Sequence, residues 1–262
     1  MFYQPPANFL YSAYLIQVAF SSVDGSRKEG KATGFVVSTK ENMPVVITNR
    51  HVIDLDYRQK DARYKDYSLQ QLRIKGRRTD DSVYTFDLNP KTEILYDSHY
   101  ENDVVAIIPR VLEAEPEQFA KGIHWHFGIE HLATEDLFQN LLYAYDDVAF
   151  SGFPAQYDRL ADRPIMRSGK IASDPKFDYS WSDQFEGSCV AYEAFSSEGA
   201  SGSPVFAPPR GLANIPNSRN GYLVGINAGH VPDHQMFGTH SGISYFYKST
   251  VILNILKNNN LI

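Results

Sequence analysis

The chain contains one cysteine, Cys189, so no disulfide can close within it. A fold of 262 residues that does without disulfides suits a reducing compartment, and a cytoplasmic location is the expectation. Neither lysine nor arginine precedes Arg27, so the charged start of a secretory signal is missing. No run of eighteen apolar residues occurs. The apolar stretch 14–20 is too short to cross a bilayer, and no membrane association is expected. Positive charge is also scarce: 25 basic residues against 31 acidic ones leave a net charge of -6. That balance argues against nucleic acid as the main partner, because phosphate binding needs a basic stripe. The one basic cluster, Arg73-Ile74-Lys75-Gly76-Arg77-Arg78, is followed after Thr79 by Asp80 and Asp81, and reads as a solvated strand end. Glycine loops of the Walker or dinucleotide kind are lacking, and no cofactor is expected.

The residues that are present describe a folded all-β chain. Hydrophobic residues make up 43% and charged ones 21%, a composition that forms a core rather than a disordered chain. Short stretches rich in β-branched and aromatic residues, bounded by Gly, Pro, Asn or Asp, recur at 15–20, 32–38, 45–48, 72–75, 83–87 and 104–109. After a gap they return at 148–151, 167–172, 189–195, 204–207, 222–227 and 243–247. Six, a break and six more predict two tandem six-stranded antiparallel β-barrels. The expected division is a barrel over 1–110, a linker over 111–145 that is helical around 130–142, and a barrel over 146–262. The last of these ends in a short helix over 250–257, where Ile252, Ile255 and Leu256 have helical spacing.

Three segments carry groups suited to chemistry. In Val45-Val46-Ile47-Thr48-Asn49-Arg50-His51, a β-branched strand runs into a histidine at its end, where a side chain can leave the sheet. In Asn102-Asp103-Val104-Val105, an acid stands at the threshold of an apolar strand and could orient an imidazole, although such residues also start strands as turns. In Glu198-Gly199-Ala200-Ser201-Gly202-Ser203-Pro204, glycines flank a serine and permit a turn in which N–H groups converge while the hydroxyl projects. His124, His126 and His131, and the pair His230 and His234, lack partners at a recognised metal spacing, so no metal site is expected. Cys189 reads as a small core residue.

Taken in order, these motifs resemble those of trypsin-like (chymotrypsin-fold) serine peptidases, in particular their disulfide-free bacterial members. Thr33-Gly34-Phe35-Val36-Val37 is similar to the family's Gly-Thr-Gly-Phe strand, and Thr48-Asn49-Arg50-His51-Val52 to its Thr-Ala-x-His-Val. Gly199-Ala200-Ser201-Gly202-Ser203-Pro204 is similar to Gly-Asn-Ser-Gly-Gly-Pro, Gly152-Phe153-Pro154 to the Gly-Tyr-Pro opening the second barrel, and Val224-Gly225-Ile226-Asn227 to the pocket-wall strand. Arg50 is bulkier than the small residue usual beside the histidine.

The resemblance implies one peptidase unit acting on protein or peptide substrates, with Ser201 as nucleophile, His51 as base and Asp103 as its orienter. It implies an oxyanion hole from the N–H groups of Gly199 and Ser201. The pocket for the residue before the cut would use Phe195 as an apolar floor, with Ser196, Asn227, Ala228, Gly229 and 242–245 as walls. A small or uncharged residue is expected there, unless Glu193 or Glu198 lines the pocket instead and favours basic ones. Activity should rise through an imidazole pKa of about 6.5. No Ile-Val-Gly-Gly start is present, so activation by a buried new N-terminus is not implied, and a further reading is a peptidase kept latent until an activating partner or effector orders the 196–200 loop. The alternative is a catalytically silent or effector-gated binding module of the same fold.

Overall fold

Alternation of side chains along the strands of the first half sends one face inward and the other toward the second half. The computed structural model of the chain describes residues 7–40, 42–59, 61–109, 122–211, 217–233 and 239–262. Its first strands are β1 (Tyr14–Ser22), β2 (Arg27–Ser38), β3 (Pro44–Thr48), β4 (Tyr67–Arg77), β5 (Val83–Leu88), β6 (Glu93–Tyr96), β7 (Val105–Ile108) and β8 (Phe127–Gly128). Ile16, Val36, Val46 and Ile107 share a core inside this sheet. Their neighbours Phe35, Val37, Val45, Ile47 and Ala106 belong to a second core, which also holds Cys189, Phe206, Ile226 and Tyr247 from the other half.

The second half is a closed barrel. It consists of β9 (Asp147–Gly152), β10 (Ile165–Ile171), β11 (Cys189–Glu193), β12 (Pro204–Ala207), β13 (Tyr222–Asp233) and β14 (Thr239–Lys248), in the order β10-β11-β14-β13-β12-β9. Val148, Phe150, Tyr192, Val205, Val224 and Phe246 fill it. Six strands were expected here and six are found.

The first half differs from the expected six-stranded barrel. Seven strands run β5-β4-β1-β2-β3-β7-β6, and β8 pairs with β2 in parallel. Among the described residues, no hydrogen-bonded pair joins β5 to β6 and closes the path. A turn between them, with Thr92 N donating to Asn89 O (2.8 Å), lets β6 pair with β7 instead. β6 and β8, strands of four and two residues, are too short to show alternation in the sequence.

Helices complete the frame. α1 (Arg50–Ile53) is a single turn that follows β3 directly, so His51 lies in a helix rather than at a strand end. α2 (Glu135–Asn140) falls inside the expected helical stretch, preceded by a 3-10 turn at Ile129–His131. Residues 111–121 of the expected linker lie outside the described residues. α3 (Ser249–Asn258) buries Val251, Ile252, Ile255 and Leu256 in the core shared by the two halves.

The basic cluster on β4 is not simply solvated. Arg73 pairs with Asp87 through two hydrogen bonds of 2.7 and 3.0 Å, Lys75 with Asp162, and Arg77 with Asp81. Arg77 is buried. Among the described residues, no helix is long and apolar enough to cross a membrane.

Because α3 seals the shared core, Ile255→Ala should cost about 2–5 kcal/mol of stability through the cavity it leaves. Leu160→Ala, at a fully exposed side chain, should stay within about 0.5 kcal/mol. Denaturant unfolding followed by fluorescence checks both, and equal midpoints for the two variants would refute the sealing role.

Candidate active site

His51 is oriented by one carboxylate from two directions. The residues before it, 44–48, form the fully paired strand β3, and α1 begins without a connecting loop. Asn49 holds an extended conformation at the helix start, and its side-chain Nδ2 donates to the carbonyl of Asp103 (2.6 Å). Asp103, 6% exposed, lies just before β7. Its Oδ1 accepts from the backbone N–H of His51 (2.9 Å), and its Oδ2 lies 2.5 Å from His51 Nδ1. A carboxylate can only accept, so Nδ1 carries the proton and Nε2 keeps its lone pair. Asn102 is fastened in turn: its Nδ2 donates to Asp97 Oδ1 (2.8 Å) and its Oδ1 accepts from Ser188 N (2.9 Å).

The serine loop depends on two left-handed glycines. Gly199 has φ +89° and Gly202 φ +86°, in the region that L side chains rarely adopt. A Cβ on Gly199 would lie 2.3 Å from the Phe153 carbonyl, and one on Gly202 1.8 Å from the Thr33 carbonyl. Only glycine fits either position. Within the loop, Ala200 N donates to Ser197 O, Gly202 N to Asn227 O and Ser203 N to Ala200 O. Among the described residues, the N–H groups of Gly199 and Ser201 donate to no protein acceptor. They are available to an anion.

His51, Gly199 and Ser201 line one cavity of about 200 Å³, together with Lys31, Leu55 and Glu198. A neighbouring groove of about 430 Å³ continues from Gly199 and Glu198 past Lys31 toward Arg73, Tyr157 and Arg159. The Ser201 hydroxyl donates to the Ala228 carbonyl (3.2 Å) and makes no hydrogen bond to His51. Ser203, two residues on, is fully buried and its Oγ has no partner.

Electrostatics around His51 favour its charged form. Burial alone lowers the imidazole pKa, but the Asp103 carboxylate, by charge and by hydrogen bond, outweighs it and raises the pKa above 6.5. Arg58 opposes that rise. Cys189 is buried in the shared core, and burial pushes its thiol far above the ordinary range, so it is no thiolate nucleophile.

The expected pocket residues fall into two groups. Ser196 and Asn227 are buried and mutually bonded: Asn227 Nδ2 donates to Ser196 Oγ and to Ala200 O (both 2.9 Å), while its Oδ1 accepts from Tyr192 OH (2.6 Å). Ala228 and Gly229 follow on β13, beside Ser201. Phe195 does not form a buried floor. It is 62% exposed and its ring packs on His240, at 4.8 Å between centroids, while Arg167 holds its carbonyl (2.6 Å). Glu193 and Glu198 are exposed, and only Glu198 lines the cavity.

The other histidines are dispersed. His124 Nδ1 accepts from Thr79 N, His131 Nδ1 accepts from Gly128 N, and His230 stacks on His240. His234 lies outside the described residues. Among the described residues, no three metal-ligating side chains gather. Two further residues of the site have no local signal in the sequence: Arg58 acts on His51 at long range, and the His240 ring meets Phe195 only through the fold.

Comparisons with known proteins bear on the fold and the family of the chain. The protease Anisep from Arthrobacter nicotinovorans has a similar structure, with a TM-score of 0.57 at 14% identity, covering 93% of this chain and 94% of that one. A thermostable serine protease, AL20, from an extremophilic microorganism gives a TM-score of 0.57 at 13% identity, over 98% and 100% of the two chains. Deg5 gives 0.52 at 14% identity, over 93% and 86%. At such identities the likeness is one of fold, here the all-β chymotrypsin-like fold. A search of curated protein sequences finds no significant match. A family model described as a trypsin-like peptidase domain matches residues 32–212, more than half of the sequence, and the chain therefore belongs to the trypsin-like peptidase family.

Proposed function

We propose that this protein is a serine endopeptidase in which Ser201 attacks the substrate carbonyl, His51 is the base and Asp103 its orienter. The observation that carries the reading is the cavity into which His51 and Ser201 both open, with the unpartnered N–H groups of Gly199 and Ser201 beside them. The hydroxyl turns from Ala228 toward His51 Nε2 and gives up its proton as Oγ bonds to the scissile carbon. The two N–H groups take the negative charge on the carbonyl oxygen, a contribution of about 3–4 kcal/mol for each such donor. The imidazolium, stabilised by Asp103, passes its proton to the leaving amine, and water then hydrolyses the ester on Ser201.

The residue before the cut would contact Ser196, Ala228 and Gly229. No carboxylate stands among them, and the amide of Asn227 is committed to Ser196, Ala200 and Tyr192. A cation buried there would lack a partner, which supports a small or uncharged residue at that position. The resting bond from Ser201 to Ala228 also fits the effector-gated alternative, in which a partner turns the hydroxyl toward His51.

Labelling by a serine-directed fluorophosphonate separates Ser201 from its neighbour. Ser201→Ala should abolish labelling, whereas Ser203→Ala should retain it, since that buried hydroxyl bonds to nothing. The reverse result would reassign the nucleophile.

Neutral His51 is the base, and Asp103 raises its pKa, so turnover should rise with pH through a midpoint above 6.5 rather than at it. Asp103→Asn should cut turnover on the order of 10⁴-fold. A peptidase assay run across pH checks both, and a near-neutral Asp103→Asn would remove Asp103 from the mechanism.

Mass-spectrometric profiling of cuts in a peptide library, with Ser201→Ala as the blank, reads the preference directly. Small or uncharged residues should precede the cut. Dominant cleavage after Arg or Lys would instead implicate Glu198.

A further inference from the structure

Arg50 precedes His51, yet no step of the proposed reaction uses it. Its guanidinium carbon lies 4.7 Å from the ring centroid of Tyr57, 4.7 Å from that of Tyr96 and 4.9 Å from that of Tyr100. Cation–π attraction acts within about 6 Å of a centroid, and three rings meet that condition here. Its Nε also donates to Asp54 Oδ2 (3.1 Å), one helical turn on.

The three rings belong to three different places. Tyr57 is buried in the turn after α1, Tyr96 ends β6, and Tyr100 stands three residues before Asp103. Tyr57 OH donates to the carbonyl of Tyr100 (2.8 Å), and the two rings lie 5.1 Å apart. Arg58 Nη2 donates to the carbonyl of Glu101 (2.9 Å), which also accepts from Tyr247 OH (3.1 Å). The segment 100–102 is therefore gripped from the side of α1 immediately before it delivers Asp103.

Resting on the serine-peptidase reading above, we propose that Arg50 is a positioning residue: clasped by Tyr57, Tyr96 and Tyr100, it locks the helix of His51 against the segment of Asp103. In a chain with one cysteine, no disulfide can fasten those elements together. A planar guanidinium can face several rings at once, which a lysine ammonium on a flexible stem does poorly. The charged groups that bear on His51 are Asp103 and Arg58, with Lys28, Glu29, Lys31 and Glu198 around the cavity it faces.

The test follows the His51 ring by NMR titration, and fluorophosphonate labelling across pH, in wild type, Arg50→Ala, Arg50→Lys and Tyr96→Leu. Loosening the contact with Asp103 removes what raises the imidazole pKa. Arg50→Ala should therefore lower the titration midpoint by about 0.5 unit and slow plateau labelling about tenfold. Arg50→Lys should recover only part of both. If Arg50→Ala does not fold, Tyr96→Leu, which removes one partly exposed ring, should show the same downward shift. A slower rate with an unmoved midpoint would mean a general loss of structure and overturn the proposal, as would wild-type behaviour in both measurements. A wild-type protein inert to the probe, in which Arg50→Ala still moves the His51 midpoint, would overturn unaided peptidase activity in favour of the silent or effector-gated alternative and support the Arg50 contact.

Discussion

Thr33 is the residue through which the two halves agree on where the site lies. It is fully buried, and all of its polar atoms are committed. Its N–H donates to the Ser201 carbonyl (2.8 Å), and its Oγ1 donates to the Gly199 carbonyl (2.8 Å). The same Oγ1 accepts from Phe153 N (2.9 Å), and the Thr33 carbonyl accepts from Thr48 Oγ1 (2.9 Å). One residue thus touches the serine loop twice, the end of β9 once, and the strand leading to His51 once. Hydrophobic contact brings the halves together but has no direction. Hydrogen bonds weaken steeply with misalignment, so Thr33, together with the bonds from Ser188 to Asn102 and from Tyr247 to Glu101, converts contact into register.

The same logic explains why the site sits at the seam. Along β2, β3 and β7, alternate residues serve the first half's own core and the core it shares with the second. A strand used on both faces has to be apolar on both, which is why β3 and β7 read as nearly continuous apolar runs rich in Val and Ile. The polar residues that flank those runs, Asn49 and His51 after β3 and Asp103 before β7, can project only where the strands stop. β3 and β7 are antiparallel, with Thr48 opposite Val105, so the exit of one and the entry of the other fall side by side. Register brings His51 beside Asp103, where the Asn49 bond and the proposed Arg50 contacts can hold it.

That is also why these residues were legible in the sequence. His51, Asp103 and Ser201 stand in short motifs whose local geometry is written in neighbouring residues: a β-branched strand, a threshold acid, two glycines around a serine. The six strands of the second half could be counted from strand composition, and α3 from the spacing of Ile252, Ile255 and Leu256. What could not be read depends on partners far along the chain. β6 is four residues long and is defined by its pairing with β7. Phe195, the floor that the resemblance implies, turns outward because His240 and Arg167, neither of them near in sequence, hold it there. Arg50 announced itself only as too large for its place. The three tyrosines that make room for it are 7, 46 and 50 positions away (57 − 50, 96 − 50, 100 − 50).

Of the buried polar atoms left without a partner among the described residues, two lie beside the motifs that carry the chemistry, and others lie elsewhere, as at Arg77 and Arg219. Asn49 Oδ1 and Ser203 Oγ are buried and unpaired, each two residues from a proposed catalytic group. The N–H groups of Gly199 and Ser201 are also unpaired, but they border a cavity that water or substrate can enter. The two cases differ in cost. A buried orphan loses about 1–3 kcal/mol, whereas a donor facing solvent loses little. A site that stabilises charge present only during reaction has to keep donors empty at rest. The backbone of this loop has acceptors close by, and Ala200, Gly202 and Ser203 have already found theirs. Only the fixed backbone of Gly199 and Gly202, wedged against Phe153 and Thr33, stops the remaining two from doing the same. Rigidity at the seam is thus a condition of the proposed chemistry, since a loop free to satisfy itself would leave no oxyanion hole.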